Sequence, residues 1–167
     1  MGTIIVTGAS AGIGAASARQ LRARGHDVVI VGRSPAKTEA LAREIGVPFH
    51  VADYARLADV RRLATELARY DRIDVLANNA GGIMGGREVT ADGFEKTFQV
   101  NHLAPFLLTR LLLARLVASR AKVIQTSSGA ANLWGRKFDI ADLQNPRGYR
   151  PERAYGNGKL ANILFTR

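Results

Sequence analysis

The sequence from Thr3 to Arg24 reads TIIVTGASAGIGAASARQLRAR and combines three features that decide the fold class. Five β-branched residues come first, as is typical of a buried strand. A turn with glycine at positions 8, 12 and 14 follows, and then an alanine-rich run with helical spacing of its apolar residues. This order predicts a strand, a tight turn and a helix, which together begin a unit with parallel strands.

The same alternation continues along the rest of the chain. The predicted strands are Thr3–Thr7, Asp27–Val31, Val47–Val51, Ile73–Ala77 and Lys122–Thr126. The predicted helices are Ile13–Arg24, Pro35–Ile45, Arg56–Tyr70 and a long segment from about Thr90 to Arg120. Because crossover helices cover both faces of a parallel sheet, we expect one doubly wound, three-layer α/β/α domain over residues 1–167. No stretch suits a sixth strand, so the C-terminal strands of such a sheet are expected to be missing.

The composition argues against several classes of protein. Of the 167 residues, 47% are hydrophobic, 23% are charged and none is cysteine, which excludes a disulfide scaffold and cysteine-ligated metal sites. The apolar stretch Leu103–Ala118 contains two arginines and is too short to cross a bilayer, and no secretory leader precedes Thr3. We therefore expect a cytoplasmic protein without membrane contact.

The sequence predicts no metal site. The three histidines, His26, His50 and His102, lack the spacing of metal ligands and are interpreted as structural.

The chain is strongly basic. It has 24 lysines and arginines against 14 acidic residues, for a net charge of +10. The arginines are spread at helical intervals, as at Arg19 and Arg22, and form no dense basic run with interleaved aromatic residues. A scattered charge of this kind is typical of solvated helix faces and predicts no nucleic-acid partner.

The glycine-rich turn is a candidate phosphate-binding loop. Glycine lets the backbone approach a pyrophosphate closely, and the following helix N-terminus offers free N–H groups and a positive dipole end. Because this loop joins a first strand to a first helix, we predict a dinucleotide site. Its predicted contacts are Gly8, Ser10, Ala11, Gly12, Ile13 and Gly14. An ordinary tight turn is the alternative interpretation.

The end of the second strand indicates which dinucleotide binds. Dinucleotide folds that prefer NAD(H) place an acid here for the ribose 2′-hydroxyl, whereas an arginine accommodates a 2′-phosphate. In this chain the strand ends with Val31, Gly32 and Arg33, without a carboxylate. Arginine binds phosphate bidentately, so we predict that NADP(H) is favoured over NAD(H). A surface arginine without a ligand is the alternative.

Four later motifs, together with the glycine loop, resemble those of the short-chain dehydrogenase/reductase family. The segment Asn78–Gly81 (NNAG) is similar to one that follows the fourth strand in that family. Asn101 in VNHLAPFLLT, Ser128 in VIQTSSGA, and Tyr155 with Lys159 in AYGNGKLAN match the family's Asn-Ser-Tyr-Lys tetrad. The segment 147–167 resembles more narrowly the retinol-dehydrogenase-like and WW-domain-oxidoreductase branch.

Tyr155 and Lys159 also suit carbonyl chemistry on their own terms. Hydride transfer to a carbonyl needs a proton for the developing alkoxide, and a tyrosine hydroxyl can donate one. Lys159 lies four residues later, on the same face of a helix, where its ammonium would stabilise the phenolate. Ser128 follows the fifth strand and would hydrogen-bond the substrate oxygen beside Tyr155. Each of these residues alone would fit an ordinary surface or strand-end role.

The resemblance implies the remaining roles. Asn101 would hold a water that links Lys159 to solvent, and Tyr155 and Lys159 would also contact the nicotinamide ribose. The other implied cofactor contacts are Asn79, Ala80 and Gly81 after the fourth strand and Asp53 beside the adenine. A helix kink at Asn101 and a solvated loop acid at Asp53 are the alternatives. Trp134 and Phe138 would line an apolar substrate pocket or pack the loop that carries them.

We therefore predict an NADP(H)-dependent oxidoreductase that acts on an apolar alcohol/carbonyl pair. The alternative is a non-catalytic nucleotide-binding or interaction module.

Family members usually pair through two long helices, which suggests a homodimer through Asn101–Arg120 and the helix from Glu152 onward. Gly156 and Gly158 are poor helix formers, so we expect the turn between Tyr155 and Lys159 to be loosened.

Overall fold

Strands and helices alternate in a computed structural model that describes residues 2–135, 138–146 and 148–166. The strands are β1 (Thr3–Thr7), β2 (Asp27–Gly32), β3 (Phe49–Val51), β4 (Ile73–Asn78) and β5 (Lys122–Gln125). The helices are α1 (Gly12–Ala23), α2 (Pro35–Ile45), α3 (Leu57–Leu67), α4 (Lys96–Phe98), α5 (Ala104–Leu111), α6 (Leu113–Ser119), α7 (Ala130–Trp134) and α8 (Pro151–Phe165). A π turn at Gln99–Leu103 joins α4 to α5, and a 3₁₀ turn at Ile140–Asp142 lies between α7 and α8.

In the described part of the chain, the five strands form one sheet in the order β3-β2-β1-β4-β5. All four neighbouring pairs are parallel. The chain moves outward from β1 to β3, returns to β4 on the other side of β1, and then moves outward again. This reversal makes the sheet doubly wound and opens a crevice beyond the carboxyl ends of β1 and β4. The predicted fold class is confirmed.

The core lies on both faces of the sheet. Because successive strand residues point to opposite faces, Ile5 and Val6 of β1 belong to different buried clusters. The cluster under α3 and α5 includes Val29, Leu63, Ile73, Leu76 and Leu108. The cluster under α1 and α2 includes Ala15, Ala18, Val28, Ile30 and Leu41. Helices therefore cover the sheet from both sides, and its carboxyl edge is left for the loops.

The predicted long helix from Thr90 to Arg120 is wrong in its continuity. A turn at Asp92-Gly93 precedes it, with Gly93 at a φ of 85°, and the first helical residue is Lys96. Glu95 caps this start, since its carboxylate accepts the backbone N–H groups of Thr97 and Phe98 at 2.7 and 2.8 Å. The π turn and a break at Leu112 then divide the remainder.

Smaller differences concern element ends. β3 begins at Phe49 rather than Val47, and Pro48, which has no N–H to donate, precedes it. α3 spans Leu57–Leu67, which is shorter at both ends than predicted.

Within the described residues no single helix is long and apolar enough to span a membrane. The segments Lys96–Leu111 and Leu113–Ser119 reach that length and composition only as a pair bent by 64°.

The prediction that the two glycines loosen the turn between Tyr155 and Lys159 is wrong. Gly156 and Gly158 lie inside a continuous helix and are both buried. A Cβ at Gly156 would lie 2.9 Å from the carbonyl oxygen of Ala130 and 2.9 Å from the backbone nitrogen of Gly135. The glycine is therefore a packing requirement, because it lets α7 approach the backbone of α8 directly beside Tyr155.

Candidate active site

The glycine loop adopts the close backbone packing that its sequence predicts. Gly8 has a φ of 68°, and a Cβ there would lie 2.6 Å from the Cα of Ala80. A Cβ at Gly14 would collide with the carbonyl of Gly8. Gly12 has a φ of 58° with open space around it, so the start of α1 presents backbone without side-chain cover.

Thr7 ties this loop to the segment after β4. Its hydroxyl donates to the carbonyl of Ala77 at 3.1 Å and accepts the backbone N–H groups of Asn79 and Ala80 at 3.0 and 3.1 Å. The side-chain amide of Asn79 donates back to the Thr7 carbonyl at 3.0 Å. The loops after β1 and β4 are therefore held together as the two walls of the crevice.

One cleft of about 550 Å³ occupies this crevice. All of the predicted cofactor contacts line it: Gly8, Ser10, Ala11, Gly12, Ile13, Gly14, Arg33, Asp53, Asn79, Ala80, Gly81, Tyr155 and Lys159. Residues that the sequence did not single out also line it, among them Tyr54, Ile83, Met84, Val100 and Thr126. The structure thus gathers residues from the carboxyl ends of all five strands, the π turn and α8 at one site.

The far end of the cleft is basic. Arg33 is exposed and follows β2, and Ser34 caps α2 by accepting the N–H of Lys37 at 3.5 Å. Lys37 lines a smaller hollow of about 300 Å³, which shares Ser10, Ala11 and Gly12 with the main cleft. Arg33 and Lys37 therefore lie next to the glycine loop, and Arg19, which lines the same hollow, is paired with Glu44 at 2.6 Å.

Asp53 lies in the same part of the cleft. Its carboxylate accepts the backbone N–H of Ala55 at 3.0 Å, which folds the chain after β3 into a local turn. Its own N–H donates to the carboxylate of Asp59 at 3.0 Å. These bonds hold Asp53 at the cleft wall.

Tyr155 and Lys159 lie at the opposite end, one helical turn apart on α8. The Lys159 ammonium is 5.4 Å from the centre of the Tyr155 ring and donates to the carbonyl of Thr126 at 2.9 Å. Lys159 is only 3% exposed, and this burial lowers its pKa to about 8. A buried ammonium beside a phenol can stabilise a phenolate.

Ser127 and Ser128 connect β5 to α7 and α8. The Ser127 hydroxyl donates to the backbone carbonyl of Lys159 at 2.8 Å and so fixes α8 to the end of β5. The Ser128 hydroxyl accepts the N–H of Ala130 at 3.2 Å, at the start of α7. In the described structure Ser128 does not line the cleft, whereas Thr126 does.

Asn101 lies in the π turn and is completely buried. Its amide donates to the carbonyls of Gly82 and Thr97, both at 2.8 Å, and its side-chain oxygen accepts the Gly82 N–H at 3.0 Å. The side chain therefore holds the wall that continues from the segment after β4. It supports the cleft from behind and does not line it.

The comparison with known families agrees with this geometry. The family model described as short chain dehydrogenase matches residues 2–138. The chain belongs to the short-chain dehydrogenase family. The predicted resemblance is thereby confirmed, and the family is one of oxidoreductases by name.

Curated relatives of this chain come from bacteria and mammals. A Streptomyces sp. (strain C5) protein named "Putative daunorubicin C-13 ketoreductase DnrU" is 47% identical, with 97% of this chain and 58% of the relative covered. Retinol dehydrogenase 12 of Mus musculus is 41% identical, with 98% of this chain and 54% of the relative covered. The chain is thus similar to retinol dehydrogenases and to a bacterial protein named as a ketoreductase, and it spans a little over half the length of these relatives.

A solved structure shows the same fold with a ligand. The short-chain dehydrogenase from Sphingobium yanoikuyae in complex with NADPH has a TM-score of 0.76 and 29% identity. The match covers 99% of this chain and 62% of that one. The five-stranded sheet and its helices are therefore those of a short-chain dehydrogenase.

Some residues of the site could not be recognised from sequence. Thr7 is one more β-branched residue of a strand, and nothing in the pattern marks its hydroxyl as a link to Asn79. Lys37 is one of many cations on helix faces until the fold places it beside Ser10. Within the described residues no group of three potential metal ligands occurs.

Proposed function

We propose that this protein is an NADP(H)-dependent oxidoreductase that transfers a hydride between the nicotinamide and an alcohol/carbonyl pair, with Tyr155 as acid/base. The observation that carries the proposal is that Tyr155 and buried Lys159 line the same cleft as the glycine loop. A nucleotide site and an acid–base pair in one crevice meet the two requirements of carbonyl reduction.

The residues present fit a nicotinamide dinucleotide. The glycines leave the start of α1 open, and the first N–H groups of a helix have no intrahelical partner. We assign the pyrophosphate to the backbone of Ser10–Gly14. Arg33 and Lys37 would bind the 2′-phosphate, which favours NADP(H), and Asp53 would lie at the adenosine end.

The acid–base step follows from the positions of two side chains. The cofactor would supply the hydride to the carbonyl carbon, and the Tyr155 hydroxyl would give its proton to the oxygen. A pKa of about 8 leaves Lys159 mostly protonated at pH 7, so its ammonium stabilises the resulting phenolate. Its bond to the Thr126 carbonyl holds that charge in place. Ser128, by the family resemblance, would orient the substrate oxygen.

We propose an apolar ketone or its alcohol as the substrate class. Ile83 and Met84 line the cleft with Tyr155, and Trp134 lies against Gly156 with 41% of its surface exposed. Relatives are named as a ketoreductase and as retinol dehydrogenases, which supports the same class.

The catalytic part of the proposal is tested by comparing wild type with Tyr155→Phe. We expect NADPH-dependent reduction of at least one ketone in an apolar panel, and a loss of about a hundredfold or more in kcat for the variant. The NADPH dissociation constant should stay within about threefold, because the ring remains. NADPH binding without any turnover by wild type would favour the non-catalytic nucleotide-binding module instead.

The cofactor preference is tested by Arg33→Ala and Lys37→Ala, with Arg69→Ala as an exposed control outside the cleft. A charge-assisted bond contributes about 1.5–3 kcal/mol, so Arg33→Ala and Lys37→Ala should each weaken NADPH binding by about tenfold or more. NADH binding should hardly change, because it lacks the phosphate. Equal losses for both dinucleotides would contradict the assignment.

A further inference from the structure

The backbone carbonyl of Asn101, in the π turn, lacks the donor that a regular α-helix would supply. In an α-helix the carbonyl of Asn101 would accept the N–H of residue 105. Residue 105 is proline, which has no N–H. Asn101 is completely buried, and a side chain of another element donates to its carbonyl.

Asn162 of α8 supplies that donor. Its amide nitrogen donates to the Asn101 carbonyl at 3.0 Å, and its oxygen lies 3.0 Å from Nδ1 of His102. Because the amide nitrogen is the donor to Asn101, the oxygen accepts from the His102 ring. Asn162 is 2% exposed, so it is a buried link between α8 and the π turn.

A second contact joins the same two elements. Gly158 precedes Asn162 by one helical turn, and a Cβ at Gly158 would lie 3.2 Å from the Cβ of Asn101. Asn101 in turn bonds both backbone groups of Gly82. A Cβ at neighbouring Gly81 would lie 3.3 Å from the Lys159 ammonium. The contacts therefore form a closed ring from α8 through the π turn to the cleft wall and back to α8.

We propose that Asn162 is a positioning residue, which holds the π turn and, through Asn101, the Gly81-Gly82 wall in register with Lys159. It touches no reacting atom. The inference rests on the proposed function only in that the held wall belongs to the dinucleotide site.

Two variants of Asn162 test this role. Asn162→Leu removes both side-chain bonds at similar volume, and Asn162→Ser is a milder change whose hydroxyl is too short to reach Asn101. The control is His102→Phe, which keeps the bond from Asn162 to Asn101 and preserves a ring among Phe98, Phe106 and Phe165.

The first readout is hydrogen exchange at the Gly82 amide, which donates to Asn101. Both Asn162 variants should speed this exchange by about tenfold or more, and His102→Phe should change it by less than about threefold. The second readout is the NADPH dissociation constant, which should rise by about fivefold or more in the Asn162 variants only. Unchanged exchange at Gly82 in both Asn162 variants would overturn the proposal.

A second substitution distinguishes a positioning role of Asn162 from a role that only supplies a hydrogen bond to the Asn101 carbonyl. Pro105→Ala in the Asn162→Leu background returns a backbone donor to the Asn101 carbonyl. We expect thermal stability to recover but not NADPH affinity, because an α-helical bond would shift Asn101 away from Gly82. Recovery of both would show that Asn162 only satisfies a carbonyl, which refutes a positioning role. If wild type binds no NADPH, the proposed function fails, while the exchange experiment still decides the role of Asn162.

Discussion

Replacing Lys159 with methionine should change how the stability of the protein depends on pH. The side chain is buried, and burial alone lowers its pKa from 10.5 to about 8. At about 1.4 kcal/mol per pKa unit, the buried ammonium costs the folded state about 3 kcal/mol below pH 8. Methionine has similar length and no charge, so Lys159→Met removes this cost.

The sign of the effect follows from the two protonation equilibria. At pH 7 Lys159 is charged in both the folded and the unfolded chain, and the cost is fully present. As the pH rises through 8 the folded protein releases the proton, while the unfolded chain keeps it up to about pH 10.5. The unfolded chain then binds more protons, so wild type should gain about 2 kcal/mol relative to the variant between pH 7 and pH 10.

Urea denaturation of both proteins at pH 7, 8.5 and 10 measures this difference. The trend with pH is decisive, because methionine also removes the bond to the Thr126 carbonyl and so shifts the absolute values. Comparison at equal pH cancels the titration of all other groups. A difference that stays constant within about 0.5 kcal/mol, or that changes in the opposite direction, would refute the burial argument.

Two further predictions concern packing and the loop connection. Gly156→Ala places a Cβ 2.9 Å from backbone atoms of Ala130 and Gly135, so the cost of overpacking, about 1–3 kcal/mol, should exceed the roughly 1 kcal/mol gain in helix propensity. Thermal unfolding should show a lower Tm for Gly156→Ala than for Gly158→Ala, whose new Cβ meets only a side chain at 3.2 Å; equal Tm values would count against the close packing of α7 on α8. Thr7→Val keeps the shape but leaves the partly buried N–H groups of Asn79 and Ala80 without this acceptor, so it should cost about 1–3 kcal/mol in urea denaturation and weaken NADPH binding; a loss of neither would show that the hydroxyl does not hold the two loops together.

The sequence predicted the sheet because each strand carries its own local signal. β1 and β2 carry the β-branched runs that are typical of buried parallel strands, and the glycine spacing marks a turn where backbone approaches backbone. The cofactor cleft followed from these two features, because parallel strands bring their carboxyl ends to one edge of the sheet. The substrate-orienting role of Ser128 and the water-binding role of Asn101 stay predictions.

Tertiary contacts decided what the sequence could not. Gly156 and Gly158 carry a low helix propensity, yet both lie inside α8, because the neighbouring backbone of α7 and the side chain of Asn101 fill the space that side chains would need. Tertiary packing overrides propensity in such cases. The π turn likewise involves Pro105 and the amide of Asn162, which donates to the Asn101 carbonyl from 61 positions away. A local sequence pattern cannot predict a contact between residues so far apart in the chain.

The most direct test of the account is thermal unfolding of the chain with NADPH and with NADH. A ligand at about 100 times its Kd stabilises by about 2.7 kcal/mol, which corresponds to a rise of about 5–10 °C in Tm for a domain of this size. We expect such a rise with NADPH and a smaller one with NADH at the same concentration. No rise with either dinucleotide would contradict the assignment of the cleft as a nicotinamide dinucleotide site.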